Sequence, residues 1–267
     1  MADITLVGLG ILNVDHLTRE AERALREAKE VLYLDIGIAT PTYLASLSAK
    51  VTPLYEESYS EKGHRLKAYH HMAARVLAAA LEHRPVCFAM QGHPVVGAYA
   101  PALIKRLAPL LGLEVAVQPG ISALDCVFAA LMLDPLVEGL QCYEATDILL
   151  RRRALQNDVP LLVWQVGALE SRLHSDKISK PERFHRFSNH LRQFYPPDHP
   201  VAAVFAAPHP LMETDVWWFP LAELAAKAED LHAGVTLYLP PASHRPLQDR
   251  ELLDLIDSED HLRRITR

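Results

Sequence analysis

Short apolar segments alternate with amphipathic segments through the first half of the chain, and this alternation constrains the fold more than any other feature. The apolar segments have the length and the glycine or proline boundaries of strands, and they cover residues 4–10, 31–37, 51–59, 85–90 and 113–120. Helices are predicted between them at residues 15–30, 64–83 and 98–112, with another after Ser122. We expect Asp15 to cap the first helix, and we expect Pro53 to lie on an edge strand or at the start of a strand. The alternation predicts a mostly parallel sheet covered by helices.

The second half of the chain is richer in strands. Strands are predicted at residues 161–167, 200–207 and 234–241, helices at residues 181–195 and 221–230, and a further apolar segment at residues 215–221. The change of pattern places a domain boundary near residue 115. We therefore predict two α/β domains, residues 1–114 and 115–241, followed by a polar tail, residues 242–267, with a short helix.

Composition excludes several classes of function. The net charge is −6 and charges of both signs are interspersed, so no basic surface is offered to a nucleic acid or an anionic membrane. The N-terminus lacks the features of a signal peptide, and no apolar run is long enough to span a membrane. Three cysteines without C-x-x-C spacing indicate buried free thiols and a cytoplasmic protein. The histidines show no metal-ligand spacing, so no metal site is predicted.

Glycine-containing turns follow several predicted strands, and each is a candidate ligand site. The first, VGLGILN, lacks the third glycine of a dinucleotide-binding loop, which favours a tight turn. The second, Gln91-Gly92-His93-Pro94, lacks the partners for a metal site and the Gly-Lys-Ser/Thr sequence of a phosphate loop. It indicates either one wall of a pocket for a small polar cofactor or a turn without a ligand.

A second strand–turn–helix junction lies in QPGISALDC, residues 118–126, where Ser122 is the expected helix N-cap. Parallel strands end at the same edge of a sheet. This turn and the turn at Gly92 are therefore expected to line one pocket, which favours a ligand site over a plain turn.

Three tyrosines and an arginine form a further candidate site. Tyr55 and Tyr59 precede a Lys-Gly turn, and Arg65 and Tyr69 are four residues apart on the helix that follows. Together they have the groups needed to stabilise an oxyanion and to transfer a proton. The alternative is that Tyr69 is a core residue of an amphipathic helix and Arg65 a solvated charge at its start.

The sequence also resembles a known family. Its opening, ITLVGLGILNVDHLTREAERALREAKEVLYLD, is similar to that of the tetrapyrrole-methylase superfamily. Later segments resemble the borosin peptide backbone α-N-methyltransferases, and the resemblance spans residues 3–241. These segments are, in order, GHPVV, QPGISALDCVFAALMLDP, CYEATDILL, LLVWQVG, FYPPDHPV and GVTLYLPP. His93, where the tetrapyrrole enzymes tend to have aspartate, favours the peptide branch.

The resemblance implies two α/β domains of the tetrapyrrole-methylase type with S-adenosylmethionine in the cleft between them and S-adenosylhomocysteine as a product. It also implies a homodimer and a methyl acceptor that is the backbone amide of a ribosomal precursor peptide. The residues matched to cofactor contacts are Gly92, His93, Pro94, Val96, Ser122, Ala123, Gln165, Gly234, Val235 and Thr236. The residues matched to the active site are Tyr59, Arg65 and Tyr69, with Tyr55 as a supporting tyrosine.

The chain departs from the family pattern around one turn. Gln91 stands where the family has tyrosine, and Val95 and Gly97 stand where it has glycine and phenylalanine. These differences concern the packing of cofactor and substrate more than the fold.

The implied reaction places specific demands on the protein. An amide nitrogen is a poor nucleophile because its lone pair is delocalised into the carbonyl group. We expect Tyr59 or Tyr69, with its pKa lowered by Arg65, to accept the amide proton, while the other phenol and Arg65 stabilise the carbonyl oxygen. The residues after Pro241 include no apolar run like an acceptor peptide, so we expect a separate precursor that acts in trans.

Other functions remain open on the sequence. The first alternative is an S-adenosylmethionine-dependent methyltransferase that acts on a tetrapyrrole-like small molecule. The second is a non-catalytic S-adenosylmethionine-binding or scaffold protein, because Gln91 and Val95 depart from the usual pattern. A nucleotide-binding dehydrogenase is the third, and the incomplete glycine motif weighs against it.

Overall fold

The computed structural model describes residues 2–35, 37 and 39–267. The first half forms a five-stranded sheet in the order β3-β2-β4-β1-β5. All of its strand pairs are parallel. The strands are β1 (Ile4–Gly8), β2 (Glu30–Leu34), β3 (Val51–Pro53), β4 (Val86–Met90) and β5 (Val115–Gln118).

Helices cover both faces of this sheet. They are α1 (Arg19–Glu27), α2 (Thr40–Leu47), α3 (Tyr55–Ser58), α4 (Arg65–His83) and α5 (Tyr99–Leu107). Ile4, Leu6 and Phe88 pack on the side of α4 and α5. Val7 and Ala89, which alternate with them along the strands, pack on the side of α1 and α2. The predicted parallel sheet is confirmed.

Two local predictions in this half are wrong. The strand predicted at residues 51–59 ends at Pro53, and Tyr55–Ser58 form a helical turn whose first residues include Glu56 and Glu57. Proline cannot donate a strand hydrogen bond, and acidic residues favour a helix start. The placement of Pro53 on an edge strand is confirmed.

The first helix begins later than predicted. Asp15 lies in a short 3-10 helix, Asn13–His16, and does not cap α1. Thr18 is the N-cap, because its hydroxyl oxygen accepts a hydrogen bond from the backbone N–H of Ala21 at 3.1 Å. Helix α2 was not predicted, because its buried face begins with the polar Thr40.

The second half forms a mixed five-stranded sheet in the order β6-β7-β10-β8-β9. Its strands are β6 (Gln141–Glu144), β7 (Leu161–Trp164), β8 (Pro200–Phe205), β9 (Asp215–Pro220) and β10 (Val235–Leu239). Only β6 and β7 pair in parallel, and the other pairs are antiparallel. Its helices are α6 (Ala123–Leu131), α7 (Pro135–Glu138), α8 (Ala145–Arg151) and α9 (Glu182–Leu191).

The core of the second half also has two layers. Leu161 and Val163 pack with Phe184 of α9. Leu162, which points to the opposite face, packs with Val127 of α6. Each fully buried side chain of this kind contributes about 1.5–3 kcal/mol relative to exposure. Helices thus cover both sheets, and the predicted class, two α/β units, is confirmed.

One further prediction for the second half needs correction. The helix predicted at residues 221–230 is wrong, since only Leu221–Glu223 form a 3-10 turn. Leu224 and Ala228 are nevertheless fully buried. The apolar spacing of this segment therefore comes from turns that pack on the core and not from a helix. Strand β5 pairs with β1, so the two sheets divide after Gln118, a few residues beyond the predicted boundary at residue 115.

The tail leaves the second sheet at Pro240 and is tied to one loop. The backbone N–H of Ala242 donates to the carbonyl oxygen of Asn157 at 2.7 Å, and Arg245 pairs with Asp158 at 2.5 Å. Helices α10 (Arg250–Leu255) and α11 (Glu259–Ile265) follow. A single short helix was predicted here, so the second is an addition.

Of the three free cysteines, Cys87 is buried, Cys126 is half-buried and Cys142 is exposed. The prediction that all three are buried is therefore wrong for Cys142. Among the residues that the structure describes, no helix is both long enough and apolar enough to cross a membrane.

Candidate active site

Three glycines bring the carboxyl ends of β1, β4 and β5 into direct backbone contact. A methyl group on Gly120 would lie 2.5 Å from the carbonyl oxygen of Gly92 and 2.8 Å from Cα of Gly8. Gly10 and Gly92 also exchange two backbone hydrogen bonds, of 3.2 and 2.9 Å. The two turns singled out in the sequence therefore meet at one edge of the sheet, as predicted, although the second turn is not part of the lining of the cleft beside it.

Ser122 closes the second of these turns. Its side chain and that of Asp125 form a capping box, with Ser122 Oγ 2.6 Å from Asp125 Oδ2. The N-cap prediction is confirmed. Ser122 is buried, and Ala123 begins α6 beside it.

A cleft of about 460 Å³ opens beside this edge, between the two halves of the chain. The first half contributes strand ends and helix starts, and the second half contributes the segment after β7 and Ala233. The predicted site residues that line the cleft are Tyr55, Tyr59, Arg65, Tyr69, Val96 and Gln165. The structure thus brings the four predicted active-site residues into one cavity.

Other predicted cofactor contacts are not part of this lining, which includes their chain neighbours Gln91 and Ala233. The predicted contacts outside the lining are Gly92, His93, Pro94, Ser122, Ala123, Gly234, Val235 and Thr236. The ring nitrogen Nδ1 of His93 accepts a hydrogen bond from the backbone N–H of Val95 at 3.2 Å. Gly234 packs against Phe205, which an added Cβ would approach to 3.0 Å. Their assignment to the cofactor stays a prediction.

Aromatic rings form a continuous row along the cleft. The ring centroids are 5.1 Å apart for Tyr55 and Tyr59, 6.4 Å for Tyr59 and Tyr69, and 5.8 Å for Tyr69 and Tyr99. The imidazole of His174 lies 4.8 Å from the ring of Tyr59. Tyr99 and His174 were not predicted as site residues. Tyr99 follows the Gly92 turn closely enough to have been found, but no pattern marks His174.

Arg65 joins the two halves of the chain. Its guanidinium donates hydrogen bonds to Oε1 of Gln165 at 3.3 Å and to the carbonyl oxygen of Ser171 at 2.5 Å. Its backbone N–H donates to the carbonyl oxygen of Arg172 at 2.9 Å. Gln165 has a left-handed backbone, with φ of 56°, immediately after β7. Two residues predicted from unrelated motifs are therefore direct partners.

The environment raises the pKa of two of the phenols. Burial is the main cause that raises the pKa of Tyr59 well above its usual range, and the neighbouring Tyr69 and Tyr55 raise it further. Arg65 lowers the pKa of Tyr59 but is the weakest influence, so the net pKa is raised and not lowered as expected. Burial, and then the nearby Asp176, also raise the pKa of Tyr55. Both side chains keep their protons at neutral pH and are able to donate hydrogen bonds.

No group of three or more His, Cys, Asp or Glu side chains that is able to hold a metal ion occurs among the described residues. The cleft offers instead cationic and phenolic hydrogen-bond donors beside an apolar wall of Met72, Phe88 and Met90. Such a site suits a reaction in which negative charge develops on an oxygen atom.

Comparison with known proteins decides the family. The family model of tetrapyrrole (corrin/porphyrin) methylases matches residues 3–225. The chain belongs to the tetrapyrrole methylase family. It is therefore a methyltransferase, which confirms the resemblance seen in the sequence.

Three similar curated proteins are described as both a methyltransferase and a cyclic peptide precursor. A methyltransferase and type I borosin cyclic peptide precursor from Coprinopsis marcescibilis is 30% identical, over 96% of this chain and 68% of its own length. One from Serendipita vermifera subsp. bescii is 29% identical over 94% of this chain and 60% of its own length. The omphalotin A precursor of Omphalotus olearius is 28% identical, over 91% and 58%. The chain thus spans about three fifths to two thirds of these relatives.

Two solved structures of methyltransferases share the fold of this chain. The methyltransferase CobJ matches 92% of this chain and 96% of its own, with a TM-score of 0.63 and 22% identity. The uroporphyrin-III C-methyltransferase from Thermus thermophilus complexed with S-adenosyl homocysteine matches 89% and 96%, with a TM-score of 0.61 and 20% identity. The fold is accordingly that of the tetrapyrrole methylases.

Proposed function

We propose that this enzyme transfers methyl groups to backbone amide nitrogens of a ribosomally made precursor peptide. S-adenosylmethionine is the methyl donor, and S-adenosylhomocysteine is the product. The observation that carries the proposal is the convergence of Tyr55, Tyr59, Arg65 and Tyr69 in one cleft between the two halves. The borosin relatives, whose names describe both a methyltransferase and a peptide precursor, support the same substrate class.

The cleft fits a donor of this size. Its volume of about 460 Å³ lies within the range of small-molecule sites. A side chain at Gly8 or Gly120 would force the adjoining turns apart, and the φ of 74° at Gly92 would strain a side chain there, so the sheet edge beside the cleft depends on glycine at these positions. Gln165 and Val96 line the cleft and are the contacts we assign to the donor first. When bound, the donor supplies a methyl group activated by a sulfonium.

The chain's own residues meet the demands of amide methylation. The amide nitrogen becomes nucleophilic only when its proton leaves and the carbonyl oxygen gains negative charge. Tyr59, held protonated by burial, donates a hydrogen bond to that oxygen, and the Arg65 guanidinium adds positive charge. Tyr69 packs edge-on against Tyr59 and fixes its orientation. The apolar wall of the cleft excludes water and strengthens these interactions.

The peptide is proposed to be a separate chain that binds in trans. None of the described residues 242–267 lines the cleft, and the tail is tied to the loop at Asn157 on another side of the second half. A homodimer is proposed from the family resemblance, and a cytoplasmic location from the free cysteines.

Intact-mass spectrometry tests the proposal. The purified chain is incubated with S-adenosylmethionine, alone and with synthetic peptides that carry the C-terminal segments of the three borosin relatives named above. We expect the peptides to gain methyl groups and the chain itself to gain none. Heavy automethylation would overturn the trans arrangement, and absence of any methylation would overturn the peptide substrate.

A second candidate is methylation of a tetrapyrrole-like small molecule, which the match to tetrapyrrole methylases over residues 3–225 favours. An absorbance titration with uroporphyrin distinguishes the two. Tight porphyrin binding that competes with peptide would support the second candidate over the first.

A further inference from the structure

His174 is carried into the cleft by a segment of the second half, residues 171–176, which we call the strap. The backbone N–H of His174 donates to the carbonyl oxygen of Gly63 at 2.8 Å, and its carbonyl oxygen accepts from the N–H of Lys62 at 2.9 Å. Its ring stacks at 4.8 Å on Tyr59 and meets Tyr55 edge-on at 6.2 Å. The imidazole is thus fixed against the two phenols at the reaction site.

Asp176 is placed to hold this imidazole. Its Oδ1 lies 3.4 Å from Nε2 of His174. The imidazole is only 18% exposed, whereas the Asp176 side chain is 78% exposed. An imidazole backed by a carboxylate is the usual arrangement of a side chain that accepts a proton in catalysis. The exposed carboxylate side offers that proton a route to water.

The reaction needs such an acceptor, and four other ionisable side chains of the cleft are poorly suited to this role. Burial keeps Tyr55 and Tyr59 protonated, so neither is an effective base. Arg65 is permanently charged. Asp35 already accepts hydrogen bonds from the backbone N–H of Gly37 and the hydroxyl of Thr40.

We propose that His174, oriented by Asp176, accepts the proton that leaves the substrate amide. The inference rests on the proposed function and deepens it. The N–H bond of the amide breaks and its electron pair stays on nitrogen, while the proton bonds to the lone pair of the imidazole. The nitrogen pair forms the new N–CH₃ bond, and the C–S pair of the donor stays on sulfur. The imidazolium then releases its proton to water.

Several charged or titratable groups face His174. Tyr55 and Tyr59 lie against the ring, and Asp176 is on the strap itself. From the opposite segment come Glu61, which accepts a hydrogen bond from Ser175 at 3.0 Å, Lys62, whose N–H contacts the His174 carbonyl oxygen, and Arg65. Asp176 makes the closest ion-pair contact with the imidazole and is the partner tested.

The test measures kcat against pH for wild type, His174→Gln and Asp176→Asn, with the C-terminal segment of the Coprinopsis marcescibilis relative as the synthetic peptide. Loss of a general base typically costs about 10²–10⁴-fold. We expect a loss of this size in His174→Gln and a smaller loss in Asp176→Asn. In His174→Gln, the fall in kcat toward acid pH should also disappear. Added imidazole should restore part of the activity of His174→Ala.

Binding provides a readout that is independent of turnover. Calorimetric Kd values for S-adenosylmethionine and for the peptide should stay within about twofold of wild type in His174→Gln, because the strap is held by backbone hydrogen bonds. The matched control is His185→Gln, an exposed histidine on α9 outside the cleft lining, and it should behave as wild type.

The outcomes separate the two proposals. If wild type methylates the peptide and His174→Gln keeps both its rate and its pH profile, the role of His174 is overturned while the proposed function stands. Loss of rate together with loss of peptide binding, without rescue by imidazole, would also overturn it, since His174 would then be structural. A wild type that methylates no peptide overturns the proposed function and this inference together.

Discussion

The two halves of the molecule supply the cleft in different ways. In the all-parallel first sheet, every strand ends at the same edge, so the turns after β1, β4 and β5 converge there. In the mixed second sheet, neighbouring strands mostly run in opposite directions. Its main contribution is therefore one irregular segment, residues 165–176, that follows β7. The site residues of a parallel sheet lie in turns that local sequence patterns predict. A mixed sheet contributes site residues from loops that local sequence patterns do not predict.

Arg65 is the point at which the two halves depend on each other, and its removal should have the largest effect. Arg65→Ala removes the hydrogen bonds to Gln165 and Ser171 and the positive charge beside Tyr59. We expect methyl transfer to fall by about 10²–10³-fold, the usual effect of losing an oxyanion-stabilising donor. Single-turnover mass spectrometry with the peptide measures this rate.

The matched control is Arg75→Ala on the same helix. Arg75 forms only an exposed pair with Glu57 at 3.2 Å, so its loss should leave the rate unchanged. Near-normal turnover of Arg65→Ala would remove Arg65 from the mechanism.

Close backbone packing occurs in both halves, and alanine substitutions compare them. A methyl group on Gly120 would lie 2.5 Å from the carbonyl oxygen of Gly92, and one on Gly167 would lie 2.3 Å from the carbonyl carbon of His232. Each variant should lower the free energy of unfolding by about 1–3 kcal/mol, the cost of overpacking. Urea denaturation measures it.

Gly97→Ala serves as the control, because nothing lies within 4 Å of its added methyl group and only its φ of 66° opposes the change. Gly97→Ala should lower the free energy of unfolding by about 1 kcal/mol. Equal losses in Gly97→Ala and Gly120→Ala would mean that the glycine contact between strand ends is not tight.

Buried phenols in the two halves should give the smallest effects, visible only at high pH. Burial raises the pKa of Tyr59 in the first half and raises that of Tyr195 to about 12 in the second. Both ionise at about pH 10 in the unfolded chain. Above that pH the unfolded state binds fewer protons than the native state, so stability is lost as pH rises.

Tyr59→Phe and Tyr195→Phe should each lose less stability than wild type between about pH 9 and about pH 11. Urea midpoints at both pH values measure this slope. An unchanged slope in Tyr59→Phe would show that its phenol is not buried in solution and would weaken its assignment as a hydrogen-bond donor.

The predictions from sequence succeeded where a residue's role depends on its neighbours in the chain. Ser122 was predicted as an N-cap from its place at the start of the helix, and its capping partner Asp125 is only three residues away. The meeting of the turns at Gly92 and Gly120 followed from the parallel alternation alone. The errors had the same local character: Asp15 and Thr18 are both good caps, and local sequence does not say which one the packed chain uses.

By itself, the sequence determined two α/β units, a cluster of glycine turns at one sheet edge, and Tyr55, Tyr59, Arg65 and Tyr69 as candidates for one site, because periodicity and spacing are local properties. The tertiary structure alone decided that Arg65 bonds to Gln165 across the cleft and that the strap places His174 on Tyr59. It also decided that burial outweighs the Arg65 charge at Tyr59. Those relations depend on contacts between segments about a hundred residues apart in the chain. They also depend on how far packing excludes water from the side chains. A local sequence pattern predicts neither of these.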